Sequence, residues 1–440
     1  MNVLLGIPYL LAILFPFTLC KNCTYEYGSY DDASYRKYTR DERIFPNSQK
    51  YSDEETRISE KGECPEEYLR YSPDPTYCKT STCDIIAEGV NEEDKKLILE
   101  IHNNFRSKLA SGNELRYRQL PPAADMMELE WDDELAKIAQ AHASLCVFKH
   151  DEYSQRRVDD FPVGQNLLMS STDRKRLSSL SSWYKEEVCF YLPEYNKPFS
   201  LVDYFGHFTQ MTWAKTWKVG CGYAAFRENG ESHSLYTCNY GPAGNIKETT
   251  FYTEGEPCSQ CPLNTKCSKE YSGLCKSQTE DGPQPKRPSS DDFIFFCDFS
   301  EQDPERCKEV KVTGSRNFST KHIYSGDYKT VVLQAGESII IDFGKVYNSE
   351  GFCPFVYTRF GSNRANDSAG SVVEFNIGRY RIPYRPPREP VFTFMAAHMI
   401  ANLELQCKVI LRVDEDAAPQ YFDIKAWGIS KGDCINAFKD

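Results

Sequence analysis

Few residues in this chain have the types and spacing that chemistry requires. Cys258-Ser259-Gln260-Cys261, with Cys267 and Cys275 behind it, is a dense sulfur cluster in a segment too short to bury a core. A C-x2-C pair can begin a zinc site, but no second C-x2-C or His pair follows, so two disulfides are the expected state. Of the histidines, His102 and His142 fall on or near apolar helical faces and read as packing residues. His150 follows Cys146, and His207 lies in Gly206-His207-Phe208-Thr209-Gln210-Met211-Thr212-Trp213, while His233, His322 and His398 have no partner that sequence shows. No Gly-x-Ser-x-Gly elbow occurs and no reactive cysteine stands with a recognised base. Ser154, Ser170 and Ser171 are available, but their spacing does not choose one.

The elements that must position these groups are legible as periodicities. Asn91 followed by acids, then Leu97, Ile101, Phe105 and Leu109 on one face and Gly112 as the stop, predicts a helix. A second starts at Asp132 and carries Leu135, Ile138, Ala139, His142 and Cys146; a third, over about 174 to 190, carries Leu177, Leu180, Tyr184 and Val188. Runs at 207 to 213, 219 to 226 and 234 to 240 read as strands. Cys221 and Cys238 fall on the last two, where a disulfide can staple neighbouring strands.

In order along the chain stand Ile101-His102-Asn103-Asn104-Phe105-Arg106, Pro121-Pro122-Ala123-Ala124, Trp131-Asp132-Asp133-Glu134-Leu135-Ala136, Val163-Gly164-Gln165-Asn166-Leu167, the Gly206 to Trp213 run, Val219-Gly220-Cys221-Gly222-Tyr223 and Leu235-Tyr236-Thr237-Cys238-Asn239-Tyr240-Gly241-Pro242. This series resembles the secreted CAP superfamily, and most of all its arthropod antigen 5 branch, over residues 76–252. The resemblance implies an α/β fold, a three-layer α/β/α sandwich, with two histidines and two acids lining a cleft. Carried over by motif, these are His150, His207 and Glu186, while Gln165 stands where many members have a glutamate. An amide offers hydrogen bonds but neither charge nor a general base. Two imidazoles and the Glu186 carboxylate would still form a zinc site with an open position, so Zn2+ in the cleft is an expectation without being a requirement. The alternative is a pair of hydrogen-bonded cleft histidines without catalytic duty. Relatives bind sterols or fatty acids near this region, and Tyr184, Phe190, Tyr191, Phe199, Tyr204, Phe205 and Phe208 would either line such a groove or form core.

At 440 residues the chain exceeds a single core. Residues 1–20 read as a signal peptide, 21–75 as an acidic, Tyr-rich extended leader, 76–252 as the CAP domain and 253–275 as a cysteine-rich hinge. Residues 276–292 form a linker, and 293–440 alternate as short strands of an antiparallel β-sandwich. The 18 cysteines indicate an oxidising, extracellular setting. Cleavage after Cys20 would leave an odd number, with Cys23 the unpaired candidate. Sequons stand at Asn22, Asn317 and Asn366. No segment after the signal peptide is long and apolar enough to span a bilayer. A net charge of -12 argues against nucleic acid as a partner. The expected function is a secreted, non-enzymatic, antigen 5-like binding protein of venom or saliva, acting on an extracellular protein target or holding a small lipid or sterol. The alternatives are a metal-dependent hydrolase or peptidase using the cleft, and an integrin-directed antagonist presenting Lys431-Gly432-Asp433.

Overall fold

The computed structural model describes residues 64–435 apart from 116–119, 173–174, 202–203, 280–281, 284–289, 300–306, 308–309, 323–326, 363–369, 388–390 and 401–402. The expected signal peptide and residues 21–63 of the expected leader lie outside the described residues. Residues 64–75 correct the leader assignment: a loop closed by Cys64–Cys78 carries helix α1 (Glu66–Leu69) and buries Tyr68 and Tyr71. Its adhesive side chains are tyrosines and an arginine, so a reading keyed to aliphatic content passes over them.

In the CAP region, strand β1 (Asp84–Glu88) leads to helix α2 (Glu92–Ala110). Asn91 caps that helix reciprocally, its Oδ1 accepting from Asp94 N at 2.9 Å while Asp94 Oδ2 accepts from Asn91 N at 3.0 Å. Then come β2 (Glu130–Trp131), α3 (Asp133–Ala143), β3 (Gly164–Ser170), α4 (Ser182–Lys185), α5 (Gly206–Met211), β4 (Lys218–Glu228) and β5 (Glu231–Gly241). The sheet runs β1-β4-β5-β3, with β2 parallel against β4. Along β4, Val219, Cys221 and Tyr223 pack with Ile98, Ile101 and Leu109 of α2 and with Trp183, Phe208 and Met211. Gly220 and Gly222 face α3, where an added Cβ would stand 2.2 Å from Ala136 N and 2.4 Å from Gln140 Cα, so only glycine lets the helix backbone lie this close. The result is the expected α/β/α sandwich, with Cys221–Cys238 bridging directly opposed residues of β4 and β5.

Two elements differ from expectation. The run 207–213 is a helix because its alternation does not divide a wet face from a dry one: Phe208, Thr209, Gln210 and Met211 are all buried. Thr209 donates to Asn245 Oδ1 and Gln210 Oε1 accepts from Gly244 N, whereas Gln210 Nε2 is buried without a hydrogen-bond partner among the described residues. The expected helix over 174 to 190 breaks into 3₁₀ turns at Leu177–Ser181 and Val188–Phe190 around the single turn of α4. Four serines in this stretch compete for backbone hydrogen bonds, although Leu177, Leu180, Tyr184 and Val188 are buried.

The hinge is a two-stranded knot, β6 (Thr265–Cys267) and β7 (Cys275–Ser277), closed by Cys258–Cys267 and Cys261–Cys275. It docks on the CAP domain through Cys275 N to Met126 O and Glu128 N to Cys275 O, both 2.8 Å.

The C-terminal region forms a β-sandwich from β8 (Phe293–Cys297), β9 (Lys311–Gly314), β10 (Ser319–Lys321), β11 (Tyr328–Leu333), β12 (Ser338–Val346), β13 (Phe352–Ser362), β14 (Ser371–Ile377), β15 (Tyr380–Tyr384), β16 (Thr393–Ala396), β17 (Leu405–Val413) and β18 (Gln420–Lys431). One sheet runs β10-β11-β18-β13-β16 with β8 on β18, the other β15-β14-β17-β12-β9. Val356, Phe422 and Ile424 of the first sheet pack on Ile341, Phe375 and Val409 of the second.

The two domains meet through buried charge. Arg359 on β13 donates from Nε and NH2 to Asp423 Oδ2 on β18 at 3.0 and 2.8 Å, and from NH1 to Tyr71 OH at 2.7 Å and Asp159 O at 2.9 Å. Arg70 donates to Asp423 Oδ2 at 3.2 Å and lies 4.1 Å over the Tyr421 ring. Tyr71 OH in turn donates to Asp159 Oδ1. Beside this network, burial and then Asp159 push the Asp160 carboxyl up to about 6, and burial and then Asp132 push Glu134 up to about 7.

Arg359→Met should cost about 3–5 kcal/mol in denaturant titration, because it takes two charge-assisted hydrogen bonds from the buried Asp423 carboxylate and leaves it Arg70 as its remaining cation. A raised carboxyl contributes stability that is complete below its ordinary value near 4 and is lost as pH climbs through the folded value. Asp160→Asn removes that dependence. The melting temperature of the variant minus that of wild type should therefore rise between pH 4 and pH 7.5, a comparison in which the shared histidine contributions cancel.

Candidate functional site

The segment of α2 that reads His102-Asn103-Asn104-Phe105-Arg106 organises the surroundings of the candidate histidines. Arg106 is fully buried and donates to Met127 O at 2.8 Å, Met211 O at 3.1 Å, Trp213 O at 2.8 Å, Ala214 O at 3.3 Å and Thr216 O at 2.9 Å. It thereby fixes the chain immediately after α5, the helix that carries His207. Burial lowers its pKa to about 9, still charged at neutral pH. Asn103 pairs both side-chain groups with Leu129 N and O. His102 is a packing residue, as expected: its Nδ1 donates to Ile98 O at 2.7 Å and its Nε2 accepts from Tyr240 OH at 2.9 Å. His142 is similar, held by Thr237 Oγ1 and Lys149 O, both at 2.9 Å.

His150 donates from Nδ1 to Gln165 Oε1 at 2.8 Å, and Gln165 Nε2 passes the chain on to Asn239 Oδ1 at 3.2 Å. His207 donates from Nδ1 to Glu187 Oε1 at 2.5 Å, and Glu187 Oε2 accepts from Phe208 N at 2.9 Å. The His207 ring also lies near-parallel to Trp183, centroids 6.2 Å apart. In both histidines Nδ1 is occupied as a donor, so the neutral ring carries its lone pair on Nε2. Burial lowers the pKa of His150, and the charge of nearby Arg156 lowers it further.

The acid of this site is Glu187, a correction of the assignment to Glu186. Helix α4 ends at Lys185 and the chain tightens to 3₁₀ winding at Val188, so the next residue falls against His207 while Glu186 is exposed. Motif spacing alone could have offered either of two adjacent glutamates. Arg106 is legible as a motif member but not in its role, since the carbonyls it gathers lie far along the chain.

Of the seven aromatics considered for a lipid groove, Tyr184, Tyr191, Phe199, Phe205 and Phe208 are core, and Phe190 and Tyr204 reach the surface. The sulfurs of Cys258, Cys261 and Cys275 lie within 4.8 Å of one another, yet all three are spent in disulfides and offer no thiolate. Cys23 lies outside the described residues; Cys407 is a buried free thiol, its pKa pushed up to about 12 by burial. Lys431 donates to Asp291 O at 2.8 Å, Gly432 takes φ +62°, and Asp433 is 95 % exposed beside the Cys353–Cys434 bridge. Asn317 is exposed, whereas Asn22 and Asn366 lie outside the described residues. Among the described residues, neither His150 nor His207 hydrogen-bonds a serine hydroxyl, and no helix is long and apolar enough to cross a membrane.

The chain thus carries two Nδ1-anchored imidazoles, His150 and His207, on a three-layer α/β/α sandwich of the CAP class. The chain belongs to the cysteine-rich secretory protein (CAP) family, whose model matches residues 99–240. It is 48 % identical over 381 residues to a cysteine-rich venom protein of Tityus serrulatus, covering 84 % of this chain and 95 % of that one. It is 38 % identical over 403 residues to a CRISP/Allergen/PR-1 protein of Trittame loki, covering 86 % and 96 %. Among solved structures, NaASP2 with Zn2+ is similar at 33 % identity and TM-score 0.33, covering 42 % of this chain and 97 % of that one.

The occupied and buried His102 ring should resist protonation, because burial lowers its pKa to about 4. In an NMR titration its ring-proton shift should stay at the neutral value from pH 8 to pH 5; titration near the ordinary 6.5 would contradict the burial.

Proposed function

We propose that this chain is a secreted venom protein that acts by binding an extracellular target and that holds Zn2+ weakly without turnover. The single observation that supports the metal is that His150 and His207 each have Nδ1 tied as a donor, to Gln165 and to Glu187, which leaves Nε2 of each ring as a ligand atom. Imidazole nitrogen suits a borderline-soft divalent ion, and the lowered pKa keeps His150 neutral near pH 7. Bound zinc would supply Lewis acidity. Gln165 in place of a second acid withholds negative charge from the ion and withholds a general base from water, which supports weak binding without hydrolysis. Venom is what the named relatives indicate, and seven disulfides among the described residues suit an oxidising secretory route.

Calorimetry with ZnCl2 on wild type and on His150→Ala with His207→Ala should show binding only in the former, and equal affinity in both would overturn the site. Glu187→Gln should weaken zinc about 10–100-fold, the usual effect of losing the carboxylate behind a ligating imidazole, whereas Glu186→Gln should leave it unchanged. Chelator-sensitive cleavage of a peptide library by the zinc-loaded protein would replace binding by hydrolysis.

A further inference from the structure

Strands β9 and β10 end the two sheets of the sandwich on the same side. Among the described residues β9 pairs with β12 alone and β10 with β11 alone, and every residue of both strands is exposed. Two open edges side by side present unpaired backbone donors and acceptors to any other strand. The connection between them is Ser315-Arg316-Asn317-Phe318, followed by Ser319, and it contains the sequon Asn317-Phe318-Ser319. Phe318 is partly buried against the sandwich core, its ring 6.3 Å from that of Trp427, whereas Asn317 and Ser319 on either side of it are exposed. The acceptor side chain is thus exposed in the connection that joins the two edges.

We propose that Asn317 carries an N-linked oligosaccharide that overhangs the open edges of both sheets. In the transfer, the Asn317 amide nitrogen bonds to the anomeric carbon of a polyprenyl-pyrophosphate-linked oligosaccharide. The bond from that carbon to the pyrophosphate breaks, the lipid pyrophosphate leaves with the electron pair, and the amide proton passes to solvent. The donor and the transferase belong to the secretory compartment, so the inference rests on the secretory reading above. A hydrated glycan at this corner blocks strand addition sterically, where the short edge strands do so only by their length.

The test uses the full chain secreted from eukaryotic cells, digested and mapped by mass spectrometry with and without peptide-N-glycosidase. The peptide containing Asn317 should carry glycan mass that the enzyme removes, and both Asn317→Gln and Ser319→Ala should abolish it. A secreted chain with Asn317 bare overturns the inference and leaves the secretory reading standing; a chain that never enters the secretory route overturns that reading first. The Ser319→Ala protein, which keeps its other sequons, should self-associate in light scattering at concentrations where wild type stays dispersed. Equal scattering would overturn the shielding role.

Discussion

A guanidinium with no carboxylate in its hydrogen-bond shell sits at the centre of the CAP domain. Arg106 is satisfied by five main-chain carbonyls drawn from two separate stretches, Met127 and the Met211 to Thr216 turn. Backbone carbonyls cannot rotate away as side chains can, so each bond constrains a chain path. With Asn103 clamping Leu129, one face of α2 dictates how the strand entry at Glu130 and the exit from α5 are laid against the sheet. The position of His207, and through Asn166 Nδ2 to His207 O the position of β3 with Gln165, follows from that face. The site therefore owes its geometry to a helix that contributes no ligand to it.

The joint between the two domains uses the opposite solution. Arg359 and Arg70 share the Asp423 carboxylate, with Tyr71 and Asp159 completing the network. Burying such charges is expensive, and the cost is tolerable only where partners are in place on all sides. Apolar contact would have tolerated sliding; a fork of directed hydrogen bonds does not. The sandwich, which has a core of its own, is consequently held in one orientation on the CAP domain.

Local signals carried much of this architecture into view. Asn91 and the acids after it mark the start of α2, alternation from Leu405 to Val413 marks β17, and the crowding of Cys258, Cys261, Cys267 and Cys275 marks a bridged knot. The histidines and Gln165 were legible as motif positions. What escaped depends on context that a sequence window does not contain. The Gly206–Met211 helix hides because both of its faces are buried; Glu187 depends on where a serine-rich helix gives way; the role of Arg106 depends on carbonyls far along the chain. The packing of residues 64–75 is hidden for a related reason, since Arg70 meets its acid far along the chain.

That distance has a temporal meaning. Arg70 and Asp423 are 353 residues apart, so the first residue of the pair is made long before the second. Until strand β18 leaves the ribosome and enters its sheet, Arg70 lacks the Asp423 carboxylate, whereas Tyr68 already has Leu135, Ile138 and Val158 to pack on and Glu134 to donate to. The Cys64–Cys78 loop thus docks in two stages, its tyrosines on the CAP domain and its arginine on the sandwich. A chain cut between residues 293 and 423 would keep the CAP core and the tyrosine contacts but leave Arg70 without the Asp423 carboxylate.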